Sequence, residues 1–108
     1  METKRDEKVY DAIKKTAAEF LQRESSYVSL ITVTDVKLSK DGKNASVLFT
    51  VLPEHKEPEA IAFLKRKRGE FREYFMSKIR MGRVPTFDFD LDRGEKHRQK
   101  IDELTNKN

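Results

Sequence analysis

Residues 61–85 read IAFLKRKRGEFREYFMSKIRMGRVP and contain two helix-favouring runs, Ile61–Arg68 and Glu70–Arg80. In the second run Phe71, Phe75 and Ile79 stand four apart, a spacing that places their side chains on one helical face and predicts their burial. Gly69 separates the runs. A glycine inside a helix costs about 1 kcal/mol relative to alanine, so its position predicts a kink or break between two consecutive helices. Gly82 and Pro85 end the second run. The stretch is also basic. Between Ala60 and Pro85, the eight cations Lys65, Arg66, Lys67, Arg68, Arg72, Lys78, Arg80 and Arg83 face only Glu70 and Glu73. That balance of +6 leaves −2 for the rest of a chain whose net charge is +4.

On the N-terminal side, Ala45, Val47, Phe49 and Val51 alternate with Ser46, Leu48, Thr50 and Leu52, the period of a half-buried strand. An earlier run, Val28–Leu38, is rich in Val, Ile and Thr and predicts another strand. The turn residues between them, Ser39 to Asn44, make the pair an antiparallel hairpin. Pro53 and Pro58 flank the polar connection to the helical runs. From Arg5 to Arg23, Val9, Ala12, Ile13, Thr16, Ala17, Phe20 and Leu21 recur at three- and four-residue intervals and predict a first helix. On the C-terminal side, Phe87, Phe89 and Leu91 alternate with Asp88, Asp90 and Asp92, a third strand over Thr86–Asp92. Ile101 and Leu104 predict a short, partly helical or frayed tail within residues 93–108. The order is α-β-β-α-α-β: an α+β chain, residues 1–108 forming one domain, with a three-stranded sheet covered by helices.

Composition narrows the function classes. The chain has no cysteine, which removes disulfides and thiolate metal ligation and suits a reducing compartment. Met1 to Lys8 carries charges of both signs with no apolar run, and no stretch approaches the roughly 20 apolar residues that span a bilayer. A cytoplasmic protein with no membrane partner is expected. No nucleophile motif, P-loop or HExxH-like pattern is present, so neither an enzyme nor a small-molecule substrate or cofactor is expected. Asp88, Asp90 and Asp92 have the oxygen ligands that hard cations favour, but their alternation with apolar residues is explained by the polar face of a strand, and no metal site is assigned. His55 and His97 lack companions at ligand spacing and are expected at the surface. Phe71, Phe75 and Ile79 at helical spacing read as core rather than as base-stacking platforms.

The order α-β-β-α-kink-α-β matches the type II KH arrangement, in which a glycine-containing break between helices brings backbone N–H groups and helix ends close to nucleic-acid phosphates. Particular residues narrow this further. The run ITVTDVKLS (31–39), its continuation NASVLFTVL (44–52), KIRMGRVP (78–85) leading into FDFDLD (87–92), and IDEL (101–104) together resemble the ribosome-binding factor A family, in order from about residue 5 to 104. The resemblance implies a KH-like, non-enzymatic assembly factor that binds the small ribosomal subunit and its rRNA and leaves before translation. It also implies that Gly69 holds the glycine position of the kink, with Lys67 where the family carries alanine. Ser25-Ser26-Tyr27 and Arg93-Gly94 depart from the family's usual residues.

The candidate RNA-binding set is therefore Lys65, Arg66, Lys67, Arg68, Gly69, Arg72, Lys78, Arg80 and Arg83. Eight cations on two helices would also suit a solvated face, since Lys and Arg favour helices and face water. Their concentration around a KH-ordered break favours phosphate contact, which needs charge and donors but reads no sequence. The expected partner is the small ribosomal subunit (30S) with its 16S rRNA, bound by a chain that is a monomer off the ribosome. Two other classes fit the same charge: a module whose basic face binds an acidic protein surface, and a generic single-stranded nucleic-acid binder.

Overall fold

A computed structural model of the chain describes residues 4–24 and 30–94, with side chains from residue 7 onward. Helix α1 spans Lys4–Glu24, strands β1 and β2 span Leu30–Leu38 and Asn44–Leu52, helices α2 and α3 span Glu57–Arg66 and Arg68–Lys78, and β3 spans Thr86–Leu91. A short 3-10 turn, Glu54–Lys56, precedes α2. The predicted order is thus the observed one. Val28, His97 and the expected C-terminal helix lie outside the described residues.

The sheet order is β1-β2-β3. β1 and β2 form the expected antiparallel hairpin, with Leu30 opposite Leu52 and Leu38 opposite Ala45. β3 runs parallel to β2, with Thr86 opposite Asn44 and Leu91 opposite Phe49. A bulge between Val33 and Asp35 interrupts the first ladder, a feature no local pattern announces. At the bulge the Thr34 hydroxyl donates to Asp92, and the Tyr10 hydroxyl on α1 donates to Asp35 at 2.6 Å.

Alternation decides which face is covered. Ala45, Val47, Phe49 and Val51 of β2 and Phe87 and Phe89 of β3 are buried. From the helices come Ile13, Ala17, Phe20, Leu21, Ala60, Leu64, Phe71 and Phe75. Phe71 is the hub: its ring lies 4.8 Å from Phe87, 5.4 Å from Phe20 and 5.5 Å from Phe89, all edge-to-face. Such pairs contribute about 0.5–1.5 kcal/mol each beyond burial. Phe71 and Phe75 are therefore core, as their spacing predicts, whereas Ile79 is only half-buried. It stands just past the end of α3 in extended conformation, φ −120° and ψ 128°, so the helix stops at Lys78 rather than Arg80. At the other end α2 starts earlier than predicted, at Glu57, because Pro58 needs no amide hydrogen in a first turn.

The break between the helices is displaced from its predicted position. Lys67, not Gly69, lies between α2 and α3 as the cap of both, with φ −92° and ψ 2°. These angles are open to any L residue, so no glycine is required. Gly69 is the second residue of α3, with backbone angles that any residue adopts.

Candidate nucleic-acid interface

Three segments meet at one end of the sheet. Lys65, near the end of α2, donates from Nζ to Asp88 at 2.7 Å and Asp90 at 3.2 Å on β3. Arg68, at the start of α3, approaches Asp88 at 3.6 Å. α2 therefore runs antiparallel to β3, and the Lys67 break lies toward the start of that strand. Arg72, one turn further on, donates to the carbonyl oxygens of Val84 and Pro85, both at 3.4 Å, and so ties α3 to the connection that enters β3.

The predicted basic set is only partly brought together. Lys65, Lys67, Arg68 and Arg72 surround the break, and Arg83 lies in the connection that Arg72 grips. Lys78 is about 15 Å from Arg68 along α3, at 1.5 Å per residue. There its ammonium sits 5.5 Å from the Tyr74 ring, which the Arg23 guanidinium also approaches at 5.0 Å. Lys78 thus belongs to a different part of the surface, next to α1.

The set also divides by partner. Lys65 is held by two carboxylates, and Lys67 by Glu70 at 3.1 Å and the Phe63 ring at 5.6 Å. Arg66, Arg80 and Arg83 form no ion pair with another described residue. The alternation of Asp88 and Asp90 with apolar residues marks them only as a strand's polar face. They also clamp α2 onto β3, a pairing across 23 and 25 positions that no local signal reveals. Among the described residues, no group of three or more acidic or histidine side chains could hold a metal ion.

The clamp sets two titrations apart. Partial burial opposes ionisation of Asp88, but hydrogen bonds from Lys65 and the Phe89 amide, with the nearby positive charges, outweigh it and hold the carboxyl below its ordinary 3.8. Burial likewise opposes the Lys65 charge, and its bonds to Asp88 and Asp90 outweigh that, raising it above 10.5. A depressed carboxylate contributes stability above its unfolded pKa that is lost as pH falls through the folded value; a raised lysine contributes below its unfolded pKa and loses it as pH rises through the folded value. The melting temperature of Asp88→Asn should therefore fall below wild type through the neutral range and converge with it below about pH 4. A gap that persists unchanged in acid would show that the carboxylate's charge is not what matters.

The α2–α3 junction has a further property. Lys67 supplies no side-chain cap, and the first amides of a helix have no intrahelical acceptor. They, the positive end of the helix and the surrounding cations form an anion-attracting surface. A methyl group built at Gly69 would meet nothing within 4 Å, so a side chain is accommodated there without a clash.

The family model described as ribosome-binding factor A matches residues 5–105. The chain belongs to the ribosome-binding factor A family. It is 36% identical over 107 residues to ribosome-binding factor A of Cupriavidus metallidurans, covering 96% of this chain and 85% of that one. The crystal structure of ribosome-binding factor A from Thermus thermophilus superposes with a TM-score of 0.71 at 30% identity, covering 80% of this chain and 93% of that one. Coordinates of the Thermus thermophilus factor fitted into a cryo-EM map of its 30S complex match with a TM-score of 0.66 at 32% identity, covering 78% of this chain and 91% of that one. The fold is KH-like, as the element order predicts.

Within this ribosome-binding factor A fold, the lysine at position 67 is accommodated because the break is an ordinary bridge-region residue rather than a left-handed one. The glycine two positions later is dispensable for the fold. Gly69→Ala should raise stability by about 0.5 kcal/mol, roughly 2–4 °C in melting temperature, by removing backbone entropy from the unfolded chain. Calorimetry checks this. A fall in melting temperature would mean that the fold does require glycine there.

Proposed function

We propose that this chain is a non-enzymatic maturation factor of the small ribosomal subunit that docks on 16S rRNA through the end of the molecule where α2, α3 and the connection into β3 meet. The observation that carries the reading is the placement of Lys67 and Arg68 at the α2–α3 junction, with Arg72 holding against it the connection that carries Arg83, within a chain of this family. Phosphates satisfy such a surface whatever the base sequence, and the shape of the folded rRNA then supplies selectivity. The described aromatic rings of α3 and β3 lie mainly in the core, which disfavours recognition by base stacking. Lys65 takes part indirectly, by fixing α2 to β3, and Arg72 by holding the connection. The factor works in the cytoplasm and binds as a monomer.

Binding of the full chain to purified small subunits, to an unrelated structured RNA and to an unstructured RNA, each at two salt concentrations, tests this. Preferential, salt-sensitive binding to the subunit is expected. Equal affinity for all three RNAs would instead make the protein a generic nucleic-acid binder, and tight binding to an acidic protein with none to subunits would make it a protein-interaction module.

A further inference from the structure

The turn between β1 and β2 lies outside the basic run, yet the fold joins the two. Ser39 Oγ donates to Asp41 Oδ1 at 2.6 Å, and the Lys43 amide donates to the same oxygen at 2.9 Å. The Asn44 amide donates to Ser39 Oγ at 3.0 Å, and the Gly42 amide to the Ser39 carbonyl at 3.0 Å. Gly42 has φ +72°, a left-handed angle that glycine adopts without strain. The turn is thus fixed by its own bonds. It is also anchored to the rest of the molecule, because the Thr86 amide donates to the Lys43 carbonyl at 2.8 Å.

That anchor sets the distances. Thr86 follows Arg83 by three residues, and Asp88, which pairs with Arg68, is two residues along β3, about 7 Å at strand spacing. The turn therefore adjoins the surface made by the α2–α3 junction and the 79–85 connection. The Asp41 carboxyl titrates below its ordinary range chiefly through the Ser39 hydroxyl and the Lys43 amide, with Arg83 close enough to add to the effect. Asp41 is consequently the turn's internal brace. Lys40, Lys43 and Arg83 form no ion pair with another described side chain. The backbone bond between Thr86 and Lys43 thus places a turn with two exposed lysines beside the connection that carries Arg83. Exposed cations on a fixed turn that have no ion-pair partner among the described residues favour an anionic partner from outside the chain.

We infer that Lys40 and Lys43 contact RNA phosphates, so that the interface extends from the α2–α3 junction past Arg83 to the β1–β2 turn. This rests on the subunit-binding reading above and adds a second, sequence-distant anchoring point. Two fixed anchors on different elements would set the orientation of the protein on its RNA, which one patch of lysines on a helix cannot do. Their role is electrostatic. An ammonium on a flexible stem binds phosphate as a point charge, and a rigid turn supplies the placement.

The test is Lys40→Gln with Lys43→Gln in the full chain, measured for binding to purified small subunits between 50 and 200 mM monovalent salt. Loss of two phosphate contacts should make the slope of log K against log[salt] less negative by about 1.4–1.8 and lower affinity about 25- to 60-fold at 0.1 M salt. The melting temperature should stay at the wild-type value, because both side chains are exposed or outside the core. Lys40→Arg with Lys43→Arg, which keeps the charge, should retain slope and affinity. Equal loss with arginine and glutamine would overturn the electrostatic role in favour of the turn's shape. An unchanged slope in the glutamine pair, with a charge-reversed α2–α3 junction still weakening binding, would remove the turn alone from the interface. If the wild-type chain shows no salt-sensitive subunit binding, the underlying reading fails and this inference fails with it.

Discussion

Phe89→Asp should abolish folding. Phe89 is fully buried on β3, its ring edge-on to Phe71 at 5.5 Å, and β3 holds the sheet's third position against both α2 and α3. Removing the ring costs about 3–5 kcal/mol through lost burial and the cavity left behind. The new carboxylate adds a desolvation penalty of several kcal/mol with no cation in the core to offset it. Among the described residues the buried side chains are apolar apart from Thr16, and none is charged. Against the roughly 5–15 kcal/mol that separates folded from unfolded states, these costs together leave no stable native state. The variant should show no cooperative thermal transition and weak tertiary circular dichroism. A normal melting curve would mean that β3 presents its other face to the helices.

Lys67→Glu with Arg68→Glu should have the largest effect on binding with the least on the fold. Among the described residues the Lys67 ammonium reaches Glu70 and the Phe63 ring, and Arg68 is half exposed beside Asp88. Surface pairs of this kind contribute at most about 1 kcal/mol each. Neutralising two phosphate contacts at 0.1 M salt weakens binding about 25- to 60-fold, and reversing their charge adds repulsion to that loss. Subunit affinity should fall by at least this factor, the salt slope should flatten by about 1.4–1.8, and the cooperative thermal transition should survive. Unchanged affinity and slope would leave the basic junction as a solvated helix face and would sink the proposed interface. Paired with the Lys40 and Lys43 variants, this measurement separates the two ends of the surface. Contributions from independent contacts should add.

Local periodicity explains why so much of the fold was legible. A strand that hides one face must alternate, and Ala45 to Leu52 and Phe87 to Leu91 do so with few exceptions. A helix on that sheet must repeat at three and four, as α1 does from Val9 to Leu21 and α3 does at Phe71 and Phe75. Neighbouring residues suffice to set these patterns, so the element order, the KH-like arrangement, the buried aromatic faces and the location of the basic run can all be read along the chain. Break position was less accessible. Glycine marks reduced helix propensity near residue 69, but the turn between the helices forms where their packing requires it, at Lys67, whose angles cost an ordinary residue little.

Which charges remain available depends on long-range packing. Eight cations in one stretch look equivalent in sequence, because charge pairing depends on separation in space, over a few ångströms, and not along the chain. Folding brings Asp88 and Asp90 to Lys65, carries Arg23 of α1 to the Tyr74 ring beside Lys78, and turns the Arg72 guanidinium toward the backbone of Val84 and Pro85. The same packing brings the turn that carries Lys40 and Lys43 to the start of β3, three residues past Arg83, through one hydrogen bond between the Thr86 amide and the Lys43 carbonyl more than 40 positions away.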